Sequence, residues 1–370
     1  MTRAKQMDRA VRFRLAWALV FVPGLLLAAQ TPGSLAPEKI ERIEALIRAE
    51  MERQQIPGLS VAVVLDNELR WSEGFGFADI ENQVPAKATT VYRLGSISKP
   101  ITAVAVLQLA ESGTLDLDAP IQRYCSAFPA KPWPLTSRHL LAHQSGIRHY
   151  RSEAEFNSTR PYASIVDALD IFKDDSLLFE PSTRFSYTTY GYNVLGCVVE
   201  RASNMRFADY LRDNIFRPAG MERTRPDSVA DIISNRAQGY RKNDNGELRN
   251  SPLADTSNKV PGGGLVGTVE DLARFALALQ KGSLVSAETR EAMWTAQKTR
   301  DGQQTSYGLG WQVQLTDGRK EVAHSGAQQR VSTLLYVLPE QRFAVALMAN
   351  LEGVERRGEL VRKIAEIVLE

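Results

Sequence analysis

The sequence predicts an α+β fold in which both chain ends build one mainly antiparallel sheet, flanked by helices, with a helical domain inserted between them. Strand patterns lie near both ends of the chain, whereas the middle mixes short helical patterns with proline-rich and polar loops. Strands joined by short turns pair in antiparallel fashion. We therefore divide the globular part, residues 37–370, into an α/β part (37–95 and 305–370) and a mainly helical part (96–304).

The α/β part begins with an amphipathic helix and a hairpin. Apolar residues recur every three or four positions over residues 37–55, as they do on one face of a helix. Residues 59–65 are apolar and β-branched, a two-residue turn follows, and residues 69–77 alternate as a returning strand. The Ala-rich residues 101–111 then predict the first helix of the inserted region.

Strand patterns return near the end of the chain and are followed by a final helix. Alternating or continuous apolar runs predict four strands, at residues 311–315, 321–324, 331–338 and 343–348. A turn as short as residues 339–341 favours antiparallel pairing. Because the chain contains no internal repeat or low-complexity segment, solenoid and array architectures are not expected.

Composition and charge exclude one class of partner. The 370 residues are 44% hydrophobic and 24% charged, which is typical of a globular protein. The net charge of +2 originates at the amino terminus, because five basic residues and one acidic residue lie within the first 29 positions. The rest of the chain is slightly acidic. A nucleic acid partner is therefore not expected, since phosphate binding needs clustered Lys and Arg.

Residues 1–29 indicate a signal peptide. A basic stretch is followed by an apolar run at residues 15–27 and then by small residues. The run is shorter than the roughly 20 residues that span a bilayer, and a Pro-Gly pair interrupts it. We expect an exported protein, periplasmic or secreted. The alternative is contact with a membrane through an uncleaved anchor at residues 15–29.

The chain contains two cysteines, Cys125 and Cys197, so disulfides do not form the scaffold of the fold. Cys197 lies among Val194, Leu195 and Val198 in a helical pattern, which is typical of a buried thiol. We expect two buried thiols, with a disulfide between them as the alternative.

Ser96 and Lys99 are the candidate nucleophile and base. A serine hydroxyl is a poor nucleophile at neutral pH and needs a base within hydrogen-bond distance. If a helix begins at Gly95, residues three apart share one face. The free N–H groups and positive dipole of the helix start favour neutral lysine and stabilise an oxyanion. A Ser-x-x-Lys pair alone is weak evidence, because about one occurs by chance in such a chain.

Further segments accompany this pair in order along the chain. Residues 92–99, 138–150, 185–192, 262–268 and 324–326 together resemble the serine β-lactamase and penicillin-binding protein superfamily, particularly class C enzymes and their esterase and peptidase relatives. The amino-acid sequences of these segments are most similar to those of the mitochondrial β-lactamase-like serine protease family and its bacterial relatives. The resemblance implies a β-lactamase/transpeptidase-like fold, which agrees with the split sheet inferred from the strand patterns.

The same resemblance implies that Tyr187 is the second catalytic residue, a phenol that passes protons between Ser96, Lys99 and the leaving group. The family pattern at this place is Tyr-x-Asn, but this chain has Thr189 instead of the Asn. A side-chain amide that could hold a substrate amide is therefore missing. We place Thr189 among the substrate-binding residues and expect poor recognition of penicillin-like acylamides.

His324-Ser325-Gly326 stands where the superfamily has Lys-Thr-Gly, on the strand that lines the site. Histidine, with an ordinary pKa of about 6.5, is often neutral at pH 7, so it holds a substrate carboxylate less firmly than lysine. By the resemblance, Ala327 offers its backbone N–H to the oxyanion together with that of Ser96. All four residues from 324 to 327 are thus candidate substrate-binding or oxyanion residues.

Metal and nucleotide sites are not expected. His139, His143 and His149 share one segment, and the first two are four apart, as zinc ligands on a helix can be. The general-base Glu of the zinc-protease pattern is absent, however, and no Cys or acidic cluster completes a ligand set. The glycine run at residues 262–264 lacks the Lys-Ser/Thr of a phosphate loop. We expect neither a metal nor a cofactor.

These observations predict an exported serine hydrolase that forms an acyl-Ser96 intermediate on small ester or on peptide and amide substrates. Two alternatives stay open. The first is a β-lactamase or D-alanyl-D-alanine carboxypeptidase, which Thr189 and His324 disfavour. The second is a non-catalytic scaffold of the same fold, as some relatives assemble into polymers, and the intact Ser96, Lys99 and Tyr187 disfavour it. Assembly into oligomers is left open.

Overall fold

The computed structural model describes residues 33–370, and the unit Leu35–Glu370 is organised around a seven-stranded sheet. The signal peptide predicted at residues 1–29 lies outside the described residues. The strands are β1 (Gly58–Leu65), β2 (Glu68–Asp79), β3 (Val84–Pro85), β4 (Tyr92–Arg93), β5 (Arg225–Pro226), β6 (Tyr240–Lys242), β7 (Leu248–Asn250), β8 (Leu265–Gly267), β9 (Gln312–Thr316), β10 (Arg319–Gln328), β11 (Val331–Leu338) and β12 (Phe343–Ala349).

The large sheet has the order β3-β2-β1-β12-β11-β10-β9, and every neighbouring pair is antiparallel. Its strands come from both chain ends, so β1 pairs directly with β12 and Val61 lies opposite Leu347. Two small sheets, β4-β8-β5 and β6-β7, lie in the intervening segment. The predicted α+β class with a mainly antiparallel sheet is confirmed.

Helices precede, separate and follow these strands, and within residues 33–370 none has both the length and the apolar composition needed to cross a membrane. They are α1 (Pro37–Gln54), α2 (Ser98–Glu111), α3 (Ser137–Leu141), α4 (Glu153–Phe156), α5 (Ile165–Leu169), α6 (Tyr190–Ser203), α7 (Phe207–Leu211), α8 (Arg217–Ala219), α9 (Val260–Gly263), α10 (Val269–Gln280), α11 (Ala287–Met293) and α12 (Arg357–Leu369).

Both faces of the sheet are covered, which explains the continuous apolar run of β1. Val61 and Val63 pack with Ile47 of α1 and with α12 on one face. Ala62 and Val64 belong to a second core on the opposite face, which includes α10 and the buried helices α2 and α6. Side chains alternate between the faces of a strand, so a strand buried on both sides needs apolar residues throughout.

Cys125 and Cys197 form a disulfide, so the prediction of two buried thiols is wrong. Cys197 lies on α6, and Cys125 follows a short 3₁₀ turn at Ile121–Arg123. The two Cα atoms lie 5.5 Å apart, within the range that a disulfide bridges. An apolar neighbourhood in the sequence therefore does not distinguish a buried thiol from a buried disulfide.

Candidate active site

Ser96 lies in a short 3₁₀ turn, Gly95–Ile97, that leads directly into α2. The turn places Ser96 and Lys99 on one face, with Lys99 Nζ 3.1 Å from Ser96 Oγ. Gly95 has a φ of 56°, and a Cβ added to it would lie 3.1 Å from the backbone N of Ala327. Glycine at this position therefore lets β10 approach the turn closely and bring the Ala327 N–H beside Ser96.

Lys99 is completely buried and has no carboxylate partner within residues 33–370. Its Nζ contacts three oxygens, which are Ser96 Oγ at 3.1 Å, Thr189 Oγ1 at 3.1 Å and the Gly262 carbonyl at 2.7 Å. Burial lowers its pKa well below the ordinary value, and the positive charge of Lys259 lowers it further. Both effects favour the neutral amine, which can accept a proton.

Tyr187 contacts both Ser96 and Lys99. Its ring centroid lies 4.7 Å from Lys99 Nζ, and its hydroxyl is hydrogen-bonded to Ser96. Burial raises its pKa, so the phenol keeps its proton at neutral pH. The buried imidazole of His143 also packs against Tyr187, with ring centroids 4.3 Å apart. The predicted trio of Ser96, Lys99 and Tyr187 is thus brought together.

Thr189 contacts Lys99 rather than extending freely into the site. Its side chain is buried, and besides the contact with Lys99 Nζ it is hydrogen-bonded to the hydroxyl of Tyr150. The Thr189 backbone N–H donates to His149 Nδ1 at 3.2 Å. His149 Nε2 therefore carries the ring proton, and burial together with the charge of Lys99 lowers the pKa of His149 to about 4.

His324, Ser325, Gly326 and Ala327 follow one another on β10. His324 is buried, its Nδ1–H donates to the Ser325 carbonyl at 2.8 Å, and Nε2 accepts from the hydroxyl of Tyr307 at 2.8 Å. Burial and the charge of Lys99 lower the pKa of His324 to about 3. Both ring nitrogens are thus occupied, and the ring is neutral at ordinary pH.

These residues surround a cavity of about 310 Å³. Six of the eight predicted site residues line it: Ser96, Tyr187, Thr189, His324, Ser325 and Ala327. Lys99 lies beneath Ser96, and Gly326 packs against the backbone of Leu94. A larger cavity of about 640 Å³ opens beside α7 and α8 and contains none of the eight.

Sequence reasoning did not find several further residues of this cavity. The residues that line it also include Lys259, His149 and Gln328. The hydroxyl of Tyr307 donates the hydrogen bond to His324 Nε2. Two of them carry a sequence signal, since His149 lies in the motif at residues 138–150 and Lys259 comes three positions before the glycine run. Nothing local marks Gln328 or Tyr307.

The clustered histidines are held by backbone groups. His139 takes part in the capping box at the start of α3, and His143 Nδ1 accepts from the Thr188 N–H at 3.2 Å. In the part of the chain that the structure describes, no group of three His, Cys, Asp or Glu side chains is placed to hold a metal ion. The three histidines of this segment therefore do not converge on one point.

Comparison with known proteins identifies relatives over almost the whole described chain. Residues 43–369 match the family model described as Beta-lactamase. The chain is 30% identical to the serine beta-lactamase-like protein LACTB, mitochondrial, of Homo sapiens, over 85% of this chain and 76% of that protein.

Two solved structures superpose well. The octameric penicillin-binding protein homologue from Pyrococcus abyssi has a TM-score of 0.79 and 27% identity, over 89% of this chain and 77% of that one. The D-amino acid amidase from Ochrobactrum anthropi SV3 has a TM-score of 0.78 and 23% identity, over 90% and 99%. The amidase, at this identity, supports the fold alone.

Proposed function

The chain belongs to the beta-lactamase family of serine hydrolases, and we propose that it hydrolyses ester or peptide and amide substrates through an acyl-Ser96 intermediate. The observation that carries the proposal is the buried Lys99 amine, which lies 3.1 Å from Ser96 Oγ and has no carboxylate partner in the part of the chain that the structure describes. A lysine in this state is a base rather than a salt-bridge partner, and its position selects Ser96 as the nucleophile.

The contacts of Lys99 assign its hydrogen atoms. A neutral amine has two N–H donors and one lone pair. The Gly262 carbonyl and Thr189 Oγ1 accept the two N–H groups, which leaves the lone pair for the hydroxyl of Ser96. Ser96 Oγ attacks the substrate carbonyl carbon as its proton moves to Lys99. The backbone N–H groups of Ser96 and Ala327 then stabilise the oxyanion.

Tyr187 serves the second half of acylation. When the bond to the leaving group breaks, the leaving oxygen or nitrogen keeps the electron pair and needs a proton. Tyr187, hydrogen-bonded to Ser96 and protonated at neutral pH, relays the proton from Lys99 to that atom. Water then attacks the acyl carbon and gives a proton to Lys99. The bond from that carbon to Ser96 Oγ breaks, Oγ keeps the electron pair and takes the proton back from Lys99, and the acid leaves.

Substrate choice is the finer part of the proposal. The hydroxyl of Thr189 is used by Lys99, and His324 is neutral and held by Tyr307, so neither presents a free amide or cation to a β-lactam. We therefore favour esters and peptides or amides over the alternative of a class C-like β-lactamase or D-alanyl-D-alanine carboxypeptidase. The octameric homologue supports assembly into oligomers.

The reaction is tested by intact mass spectrometry after a fluorophosphonate probe. We expect one added label on the wild type and none on Ser96→Ala. Ser112→Ala, which removes an exposed hydroxyl at the C-terminal end of α2, is the matched control and should carry the label. An unlabelled wild type refutes the mechanism, and a labelled Ser96→Ala means another nucleophile, with Ser145 and Ser325 the first to examine.

Two further measurements address the finer claims. Incubation with a β-lactam distinguishes the alternatives, since a stable adduct on Ser96 indicates a penicillin-binding site, rapid turnover a β-lactamase, and no reaction the favoured function. Residues 1–29 support export to the periplasm or medium. Amino-terminal sequencing of the protein recovered from the cell envelope or medium should then begin near residue 30, and an intact amino terminus would favour the anchored form.

A further inference from the structure

Besides Lys99, the described chain buries a second lysine near Ser96: Lys259 lines the cavity, and the mechanism above does not use it. It ends the short 3₁₀ turn Ser257–Lys259, and its side chain is 1% exposed. Its ammonium donates to the Phe156 carbonyl at 3.1 Å and lies 4.7 Å from the ring of Phe156 and 5.4 Å from that of Tyr150. Burial and the guanidinium of Arg93 lower its pKa to about 7.

Unlike the buried guanidinium groups of Arg93 and Arg148, Lys259 has no counter-ion among the described residues. Arg93 pairs with Asp227 at 2.8 Å, and Arg148 pairs with Glu155 at 2.8 Å. For Lys259, by contrast, no carboxylate among the described residues affects the pKa, and its hydrogen-bond acceptor is one backbone carbonyl. Burying an unpaired cation is costly, so an apolar residue would be more stable at this position unless the charge has a use.

Lys259 lies close to the reaction centre. A Cβ added to Gly263 would lie 3.8 Å from Lys259 Cδ, 3.7 Å from Gln328 Oε1 and 3.9 Å from the carbonyl carbon of Gly95. The side chains of Lys259 and Gln328 therefore flank Gly263 beside the turn that carries Ser96. Gln328 is 6% exposed and lines the cavity, and its Nε2 has no hydrogen-bond partner among the described residues.

From this arrangement we propose that the substrate carries a carboxylate and that Lys259 binds it, with the amide of Gln328 as a second donor. No Asp or Glu lines the described part of this cavity, and Lys259 is the one Lys or Arg that does. A single ammonium suits a singly charged group. The inference rests on the proposed function of Ser96 and places carboxylate recognition at Lys259, at the end of the 3₁₀ turn Ser257–Lys259, and not at His324 on β10.

The carboxylate can belong to the acyl group or to the leaving group, so two matched ester pairs are needed. The first pair is the p-nitrophenyl monoester of adipic acid and p-nitrophenyl hexanoate, which differ by a carboxylate at the end of the acyl chain. The second pair is 4-acetoxybenzoate and its methyl ester, which differ in the charge of the leaving group. The measured quantity is the ratio of kcat/KM for the anionic ester to that for the neutral ester.

We expect the wild type to favour the anionic member of one pair and Lys259→Met to lower that ratio by about tenfold to a hundredfold, as the loss of a hydrogen bond to a charged group implies. Methionine keeps the apolar stem between the two rings. The ratio of the two kcat/KM values, measured on one preparation, does not depend on the fraction of the protein that is folded. Lys259→Arg should keep more of the preference, and Lys281→Met, at an exposed lysine, should keep all of it.

The possible results separate the two proposals. Equal use of both esters in each pair by the wild type, or a preference that survives Lys259→Met, overturns the carboxylate site while Ser96-dependent cleavage upholds the hydrolase. Gln328→Glu places a competing carboxylate beside Lys259, and an unchanged ratio in this variant also counts against the site. If no ester is cleaved in a Ser96-dependent way and no fluorophosphonate label appears, both proposals fail together.

Discussion

Replacing Thr189 with valine tests how the proposed base is held. Thr189 Oγ1 lies 3.1 Å from Lys99 Nζ, and both side chains are buried. Valine has nearly the same shape but lacks the oxygen, so one N–H of the buried amine loses its acceptor. The Gly262 carbonyl, 2.7 Å from Lys99 Nζ, is then the one remaining acceptor of the two for the amine N–H groups. The orientation of the amine is less restricted, so its lone pair is no longer held toward Ser96.

The expected magnitude follows from the cost of an unsatisfied buried donor. Such a group costs about 1–3 kcal/mol. If the whole cost falls on the transition state, kcat/KM decreases by about 5-fold to 150-fold. The loss should appear mainly in kcat, because the lost contact acts on the base and not on the substrate. Thr189→Ser keeps the hydroxyl and should stay much closer to the wild type.

The assay is steady-state hydrolysis of p-nitrophenyl hexanoate, together with the rate of fluorophosphonate labelling of Ser96. Thermal unfolding of each variant establishes that the compared proteins are folded. A Thr189→Val enzyme with wild-type kcat/KM would refute the proposed arrangement of the amine. Equal impairment of the Val and Ser variants would mean that shape, and not the hydroxyl, matters at this position.

Three further predictions use other features of the structure. Gly262→Ala should slow fluorophosphonate labelling of Ser96 far more than Gly263→Ala. A Cβ on Gly262 would lie 2.9 Å from a backbone carbonyl oxygen, whereas one on Gly263 would meet nothing closer than 3.7 Å. Equal labelling rates of the two variants would contradict this prediction. Burial lowers the pKa of His324 to about 3, so between pH 6.5 and that value the unfolded chain binds the extra proton and stability falls as the pH falls. Relative to His324→Gln, the wild type should lose up to about 2.5 kcal/mol of unfolding free energy between about pH 7.5 and about pH 4.5 in urea titrations, and parallel pH profiles would refute the assignment. The disulfide closes a loop across a sequence separation of 72 residues. The double variant Cys125→Ala/Cys197→Ala should therefore lose up to about 4 kcal/mol of unfolding free energy, measured by urea titration. An unchanged urea midpoint would mean that the bond does not constrain the unfolded chain.

The central sheet is predictable because its strands leave local patterns. β1 is apolar on both faces, and Asp66 and Asn67 join it to β2 with φ values of 52° and 62°, as a two-residue hairpin turn requires. The observed bounds of β1 and β2 differ from the predicted ones by one or two residues. The strands β4, β5 and β8 contain two or three residues each, too few for any period, and sequence reasoning missed them.

The candidate site is only partly predictable. The Ser-x-x-Lys spacing places Ser96 and Lys99 on one face of any helical turn, because that contact is local. Whether Lys99 is charged depends on contacts that no local pattern contains. Its two other oxygen partners, Thr189 and Gly262, lie 90 and 163 positions away.

The sequence by itself determined the fold class, because periodicity and turn residues act over a few residues. The resemblance of its motifs to a known superfamily indicated the serine hydrolase family and the pair at the proposed reaction centre. The tertiary structure alone decided that Cys125 and Cys197 are joined, that His324 is neutral and that Lys259 is buried with no carboxylate partner among the described residues. Charge states depend on burial and on which distant groups arrive within a few ångströms. Both are properties of the folded chain.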